Sequence, residues 1–167
     1  GGYAVGTIMM RPRFWFAGLL ALMVCQSAAA AVVVLVHGYA SDASTWELSG
    51  INGELELRGW LRGGVYTPSP AGVHVLPGPG QQAANRTYSV NLPAEAPLGI
   101  QADLLRRALE AVRLQHPAEP LYLAGHSAGG VVARMVVLGA NPFRVAALVT
   151  IASPHLGTVR AAQGLDV

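Results

Sequence analysis

Leu121-Tyr122-Leu123-Ala124, followed at once by Gly125-His126-Ser127-Ala128-Gly129, leaves a chain few ways to fold around it. The short apolar run suits a buried strand, and Val131–Leu138 after the glycines is a helical run without a breaker. Between them stands the Gly-x-Ser-x-Gly spacing of a nucleophile elbow, in which a serine occupies a sharp strand-to-helix turn. With 20 glycines in 167 residues the spacing alone is weak evidence. The bland alternative is an ordinary serine in a glycine turn, and the flanking sequence has to decide between the two.

Upstream, Ala31–Val36 is a run rich in β-branched residues with no polar interruption, the pattern of a parallel strand buried on both faces. It ends in His37-Gly38-Tyr39. Ser44-x-x-Glu47 fits a capping box ahead of a helix over Trp46–Arg58, with Gly50 and Gly53 as interruptions and Gly59 as its stop. Trp60–Arg86 carries four prolines and five glycines across its middle and reads as an irregular surface excursion bordering a substrate entrance, with Val73–Leu76 as a short edge strand. Asn85-Arg86-Thr87 matches a glycosylation sequon, a three-position match to which no role is assigned.

Thr87–Leu92 reads as a second core strand stopped by Pro93. From Pro97 the period becomes helical. Ile100, Leu104, Ala108 and Val112 fall four apart, Leu105 and Leu109 widen the stripe, and Asp103, Arg106, Arg107, Glu110 and Arg113 take the polar side. Pro117 and Pro120 stop this helix ahead of the strand that feeds the elbow. Strands alternating with helices through short links predict an α/β fold, a mostly parallel sheet with helices on both faces.

The N-terminal end has a different grammar. From Met9 or Met10 it shows arginines (Arg11, Arg13), an apolar run Phe14–Cys25 and the small residues Ser27-Ala28-Ala29-Ala30. That is the layout of a secretory signal peptide with cleavage near Ala30. The division is therefore an N-terminal extension plus signal over 1–30 and a core domain over 31–167, with the protein exported to the periplasm or outside. The apolar run is too short to span a bilayer, so no stable membrane span is expected after cleavage. The competing reading is an uncleaved anchor continuing through Val36.

Removing Arg11 and Arg13 leaves nine arginines against nine acids, which gives no reason to expect a nucleic-acid partner. The single cysteine, Cys25, excludes an intrachain disulfide framework and a cysteine-based zinc site. No metal cluster, phosphate loop or dinucleotide fingerprint is present, so no cofactor is implied.

Four segments in order, His37-Gly38-Tyr39, Asn91-Leu92-Pro93, Gly125-His126-Ser127-Ala128-Gly129-Gly130 and Ala152-Ser153-Pro154-His155-Leu156-Gly157-Thr158, resemble successive landmarks of the α/β-hydrolase superfamily, and among its members the bacterial serine lipases and esterases. The resemblance spans about Ala31 to Thr158. It implies that Ser127 is the acyl-accepting nucleophile, that the backbone N–H groups of Tyr39 and Ala128 form an oxyanion hole, and that Gly125 and Gly129 shape the elbow. It also implies a small-molecule or lipid ester as substrate.

In this fold the chain order is serine, acid, histidine. Downstream of Ser127 the sequence holds one histidine, His155, and one acid, Asp166, in the wrong order. His37, His74, His116 and His126 read as structural or solvated. The expectation is that the catalytic acid and histidine lie beyond residue 167, with the C-terminal strands of the fold. The alternative is a non-catalytic hydrolase-like binding domain.

Overall fold

The structure is a computed structural model that describes residues 30–138 and 141–159 of the chain. The expected leader up to Ala29, and Asp166, lie outside the described residues. Among the described residues no helix is long and apolar enough to cross a membrane.

Six strands form one sheet: β1 (Ala31–Val36), β2 (Trp60–Ser69), β3 (Gly72–Pro77), β4 (Asn85–Val90), β5 (Leu121–His126) and β6 (Val145–Ile151). Their order is β3-β2-β4-β1-β5-β6. Five strands are parallel, and β3 alone runs antiparallel, as the partner of β2. The helices are α1 (Thr45–Leu48), α2 (Ile51–Glu56), α3 (Leu98–Gln115) and α4 (Ala128–Val137).

The continuous apolar run of β1 is explained by its central place between β4 and β5, where Val32, Val34 and Val36 are fully buried. From β1 the chain leaves through α1 and α2 toward β2 on one side, whereas from β5 it leaves through α4 toward β6 on the other. The connections part at the carboxyl ends of β1 and β5. In open α/β sheets such a switch point leaves a crevice in which ligands bind.

Helix α3 packs on α4 and on β2. Its stripe is close to the expected one: Leu105, Ala108, Leu109 and Val112 are completely buried, and each Leu or Val so placed contributes roughly 1.5–3 kcal/mol. Ile100 departs from it and stands half exposed in the first turn. Gln101 turns inward instead, and its amide donates to the carbonyls of Ala94 and Ala96 at 3.3 and 2.7 Å, tying the helix to the loop that leads into it.

Four other expectations are corrected. Trp60–Arg86 is no surface excursion, because it holds β2, β3 and the start of β4. Its glycines serve close packing: Gly63 lies against the ring of Tyr88, and a Cβ on Gly78 would lie 2.5 Å from the carbonyl oxygen of Arg62. Its prolines fall where a missing N–H does no harm. Pro68 lies past Tyr66, the last β2 residue paired with β4, and Pro77 ends the edge strand. The core strand next to β1 spans Asn85–Val90 rather than Thr87–Leu92.

The single helix over Trp46–Arg58 is two short ones, parted at Gly50, whose φ of 77° no helix interior accommodates. Ser44 makes no side-chain cap. Asp42 accepts the Ser44 N–H at 2.8 Å, while Glu47 is drawn away to Asn52 and Arg62 at 2.6 and 2.7 Å. Tertiary ion pairing wins over the local capping box here.

Candidate active site

Strand β5 ends at His126 and α4 begins at Ala128, so Ser127 alone makes the turn. Its backbone sits at φ 53°, ψ −127°. A non-glycine residue reaches that region only under strain of about 1–3 kcal/mol, and only when its surroundings hold it there. Here the Ser127 N–H donates to the carbonyl of Ile151 at 2.8 Å, and the Gly130 N–H donates to the carbonyl of Ser127 at 3.1 Å.

The glycines of the motif are explained by contact. A Cβ on Gly125 would lie 2.5 Å from Cα of Gly130. One on Gly129 would run into the carbonyl oxygen of His37 and lie 2.5 Å from that of Val36. Gly130 is filled in the same sense by the hydroxyl of Ser153, from the segment after β6. Strand β1, the elbow and the Ser153 segment therefore meet with no room for a methyl group between them.

Ser127 is half-buried at the N-terminus of α4, where the N–H groups of the first turn have no partner inside the helix and favour negative charge. The loop after β1 comes to it directly: a Cβ on Gly38 would lie 2.9 Å from Cβ of Ser127. Tyr39, next in the chain, is 60% exposed, and Ala40 takes the left-handed conformation at φ 49°. The loop is braced at several points. Leu92 N–H donates to His37 Nε2 at 3.0 Å, Ala43 N–H to Asn91 Oδ1 at 3.3 Å, and Ser41 and Thr45 share a short hydroxyl contact. Hydrogen bonds from Ser44 hold the Asp42 carboxyl below its ordinary range.

Beside this loop an open cleft of about 520 Å³ lies between residues 40–42 and 93–96. Ser127 is not among its lining residues. Among the described residues no three His, Cys, Asp or Glu side chains are grouped as a metal site.

The sequence-derived residues thus come together as far as the serine, Gly125, Gly129, Ala128 and the Tyr39 loop are concerned. The histidines do not join them through the Ser127 hydroxyl. His37 is buried and engaged with Leu92, and His116 is buried against Tyr88 with 2.8 Å between Nε2 and the hydroxyl. His74 is exposed on β3, and His155 Nε2 contacts Thr150 Oγ1 at 3.0 Å. His126 packs near Gly38. Two participants escaped the sequence reading: the Ile151 carbonyl that holds the Ser127 N–H, and the His37–Leu92 link. Neither has a signal in spacing, because each engages a main-chain group of a segment far away in the sequence.

A serine at positive φ between a parallel strand and a helix N-terminus, flanked by glycines that let the next strand approach, defines an α/β protein built around an elbow. Residues 33–166 match the alpha/beta hydrolase family, and the chain belongs to that family. Among solved structures it is similar to the product of lin2722 from Listeria innocua, at 20% identity and a TM-score of 0.62, covering 74% of this chain and 51% of that one. It is also similar to the mature lipase BlEst2 of Bacillus licheniformis, at 17% identity and a TM-score of 0.58, covering 82% of this chain and 46% of that one. The chain thus spans about half the length of these structures. No curated protein is matched by the sequence.

Proposed function

We propose that the full protein is an exported serine hydrolase of carboxylic esters, small or lipid, acting through an acyl-enzyme on Ser127. The observation that carries this reading is the strained backbone of Ser127 at the head of α4, in contact with Gly38 of the loop after β1. The turn puts Ser127 between the carboxyl end of β5 and the N-terminus of α4, beside the switch point of the sheet. The family likeness and the lipase among the similar structures support the same reading.

In the reaction a general base removes the Ser127 proton as Oγ attacks the ester carbonyl. The tetrahedral oxyanion is met by the N–H groups of Ala128 and Tyr39, each worth about 3 kcal/mol of barrier lowering. Collapse expels the alcohol, which takes the proton back from the base. Water then hydrolyses the acyl-enzyme by the reverse sequence. On this reading the base is a histidine oriented by an acid, in the chain order serine, acid, histidine.

The test is labelling of the full-length protein with a fluorophosphonate, together with p-nitrophenyl ester hydrolysis. Both are expected in the wild type and lost in Ser127→Ala. Undiminished hydrolysis by Ser127→Ala would overturn the assignment. A second reading, a ligand-binding domain without turnover, draws on one observation: among the described residues no histidine hydrogen-bonds the Ser127 hydroxyl. It predicts saturable binding of an ester analogue by an unlabelled wild-type protein.

A further inference from the structure

The side chain of His37 sits at the junction of β1, β4 and the elbow, and it is almost completely buried. Its two ring nitrogens face two different main-chain segments. Nε2 receives the N–H of Leu92 at 3.0 Å, and Nδ1 lies 3.0 Å from the carbonyl oxygen of Gly38. A backbone N–H can only donate and a carbonyl can only accept. The pair of contacts therefore selects the neutral imidazole with its hydrogen on Nδ1.

The Gly38 carbonyl is one end of a planar peptide whose other end is the Tyr39 N–H. Among the described residues there are no cis peptide bonds, so these two groups point in opposite directions. A hydrogen bond that fixes the carbonyl fixes the direction of the N–H as well. This is also the peptide beside the nucleophile, since Gly38 has no room for a Cβ against Cβ of Ser127. The Tyr39 side chain is exposed and Ala40 is left-handed, and on the far side of the peptide the braces of the loop begin only at Ser41. Rotated by half a turn, it would present a carbonyl oxygen where the N–H is needed, and an oxyanion there would be repelled.

We propose that His37 is a positioning residue for catalysis, whose Nδ1–H holds the Gly38–Tyr39 peptide with its N–H turned toward the space in front of Ser127. The proposal rests on the reading of Ser127 and Tyr39 given above. It separates the two ring nitrogens by task. Nδ1 orients the oxyanion donor, and Nε2 fastens the ring to the chain after β4.

The experiment compares two amide replacements in the full-length protein. In His37→Asn the amide nitrogen falls near the place of Nδ1 and keeps the donor to Gly38, while the acceptor for Leu92 is lost. In His37→Gln the amide reaches the place of Nε2 and keeps the acceptor, while the donor is lost. Loss of one oxyanion donor lowers kcat by about a hundredfold or more. His37→Gln is expected to show about that loss with KM changed less than about twofold, because the N–H acts on the transition state alone. His37→Asn is expected to keep kcat within about fivefold of the wild type. Affinity for a trifluoromethyl ketone, which forms the tetrahedral adduct, should fall in step with kcat.

A purely structural role predicts the opposite order or no order, with kcat following thermal stability, and equal kcat in the two variants would overturn the proposal. Nitrogen NMR of the wild type needs no variant to fold: a bare Nε2 and a protonated Nδ1 are expected for His37, and the reverse would overturn it too. Failure of the Ser127 reading is recognised separately, by full activity in Ser127→Ala.

Discussion

The N–H of Ser127 donates to the carbonyl oxygen of Ile151 at 2.8 Å, and that bond holds the turn residue of the elbow to the last residue of the neighbouring strand. It is one of the restraints that keep Ser127 at φ 53°, where glycine alone is relaxed. Ser127→Gly should therefore be more stable than Ser127→Ala by about 1 kcal/mol, the strain relieved less the extra chain entropy of glycine. Both variants lack the hydroxyl, so the comparison isolates the backbone. Urea unfolding of the full-length variants checks it, and equal midpoints would mean that no strain is stored in the turn.

Gly129 and Gly53 carry the same side chain in opposite surroundings. A methyl group at Gly129 meets the carbonyls of Val36 and His37, whereas at Gly53, inside α2, it meets nothing within 4 Å. Gly129→Ala should destabilise by about 3 kcal/mol, the scale of overpacking against unyielding backbone. Gly53→Ala should stabilise by about 0.5–1 kcal/mol through helix propensity. Paired denaturation curves read both signs.

Arg113 at the end of α3 ties that helix to the residues that lead into β5 and β6. Its Nε donates to the Phe143 carbonyl at 2.7 Å, one terminal nitrogen to those of His116 and Glu119 at 3.0 and 2.7 Å, and the other to Arg144 at 3.2 Å. Arg113→Met keeps the apolar stem but leaves these carbonyls without the guanidinium, and should lower stability by about 2–3 kcal/mol. Arg113→Lys should recover less than about half of that, since a single ammonium cannot span the fork. Thermal melts of the three proteins decide it.

His116 makes stability depend on pH. Burial, aided by Arg86 and opposed by its hydrogen bond to Glu119, holds its pKa below the ordinary histidine value. Between the two pKa values the unfolded chain binds a proton that the folded chain refuses, so stability rises with pH there. The protein should hold its stability above about pH 6.5 and lose it progressively as the pH falls below that value. His116→Gln should flatten the decline below about pH 6.5, whatever its effect on absolute stability. Identical slopes in the two proteins would show that His116 does not carry the effect.

Where sequence alone spoke clearly, one local interaction dominated. The apolar run of β1 has no polar interruption, and within a sheet that pattern belongs to a central parallel strand buried on both faces. The four-residue spacing of Leu104, Ala108 and Val112 likewise reports one helix face. Ser127 was legible because glycine at both flanks leaves a strand-to-helix turn its steric room. The same rule misled at Trp60–Arg86: a glycine that breaks a strand and a glycine that lets a tyrosine ring lie flat against one look identical in sequence. Gly63 was of the second kind, and only Tyr88 lying across it could tell them apart.

The sequence by itself determined an α/β chain with a serine on an elbow and a glycine loop after the first strand. Tertiary structure decided that Trp60–Ser69 joins the sheet, that Glu47 serves Arg62 and Asn52 rather than a cap, and that His37 is held by Leu92, a residue 55 positions away. The division has one physical cause. Propensity, periodicity and steric room act over a few residues and are written locally, while a hydrogen bond between two strand ends exists only after the sheet has brought them together.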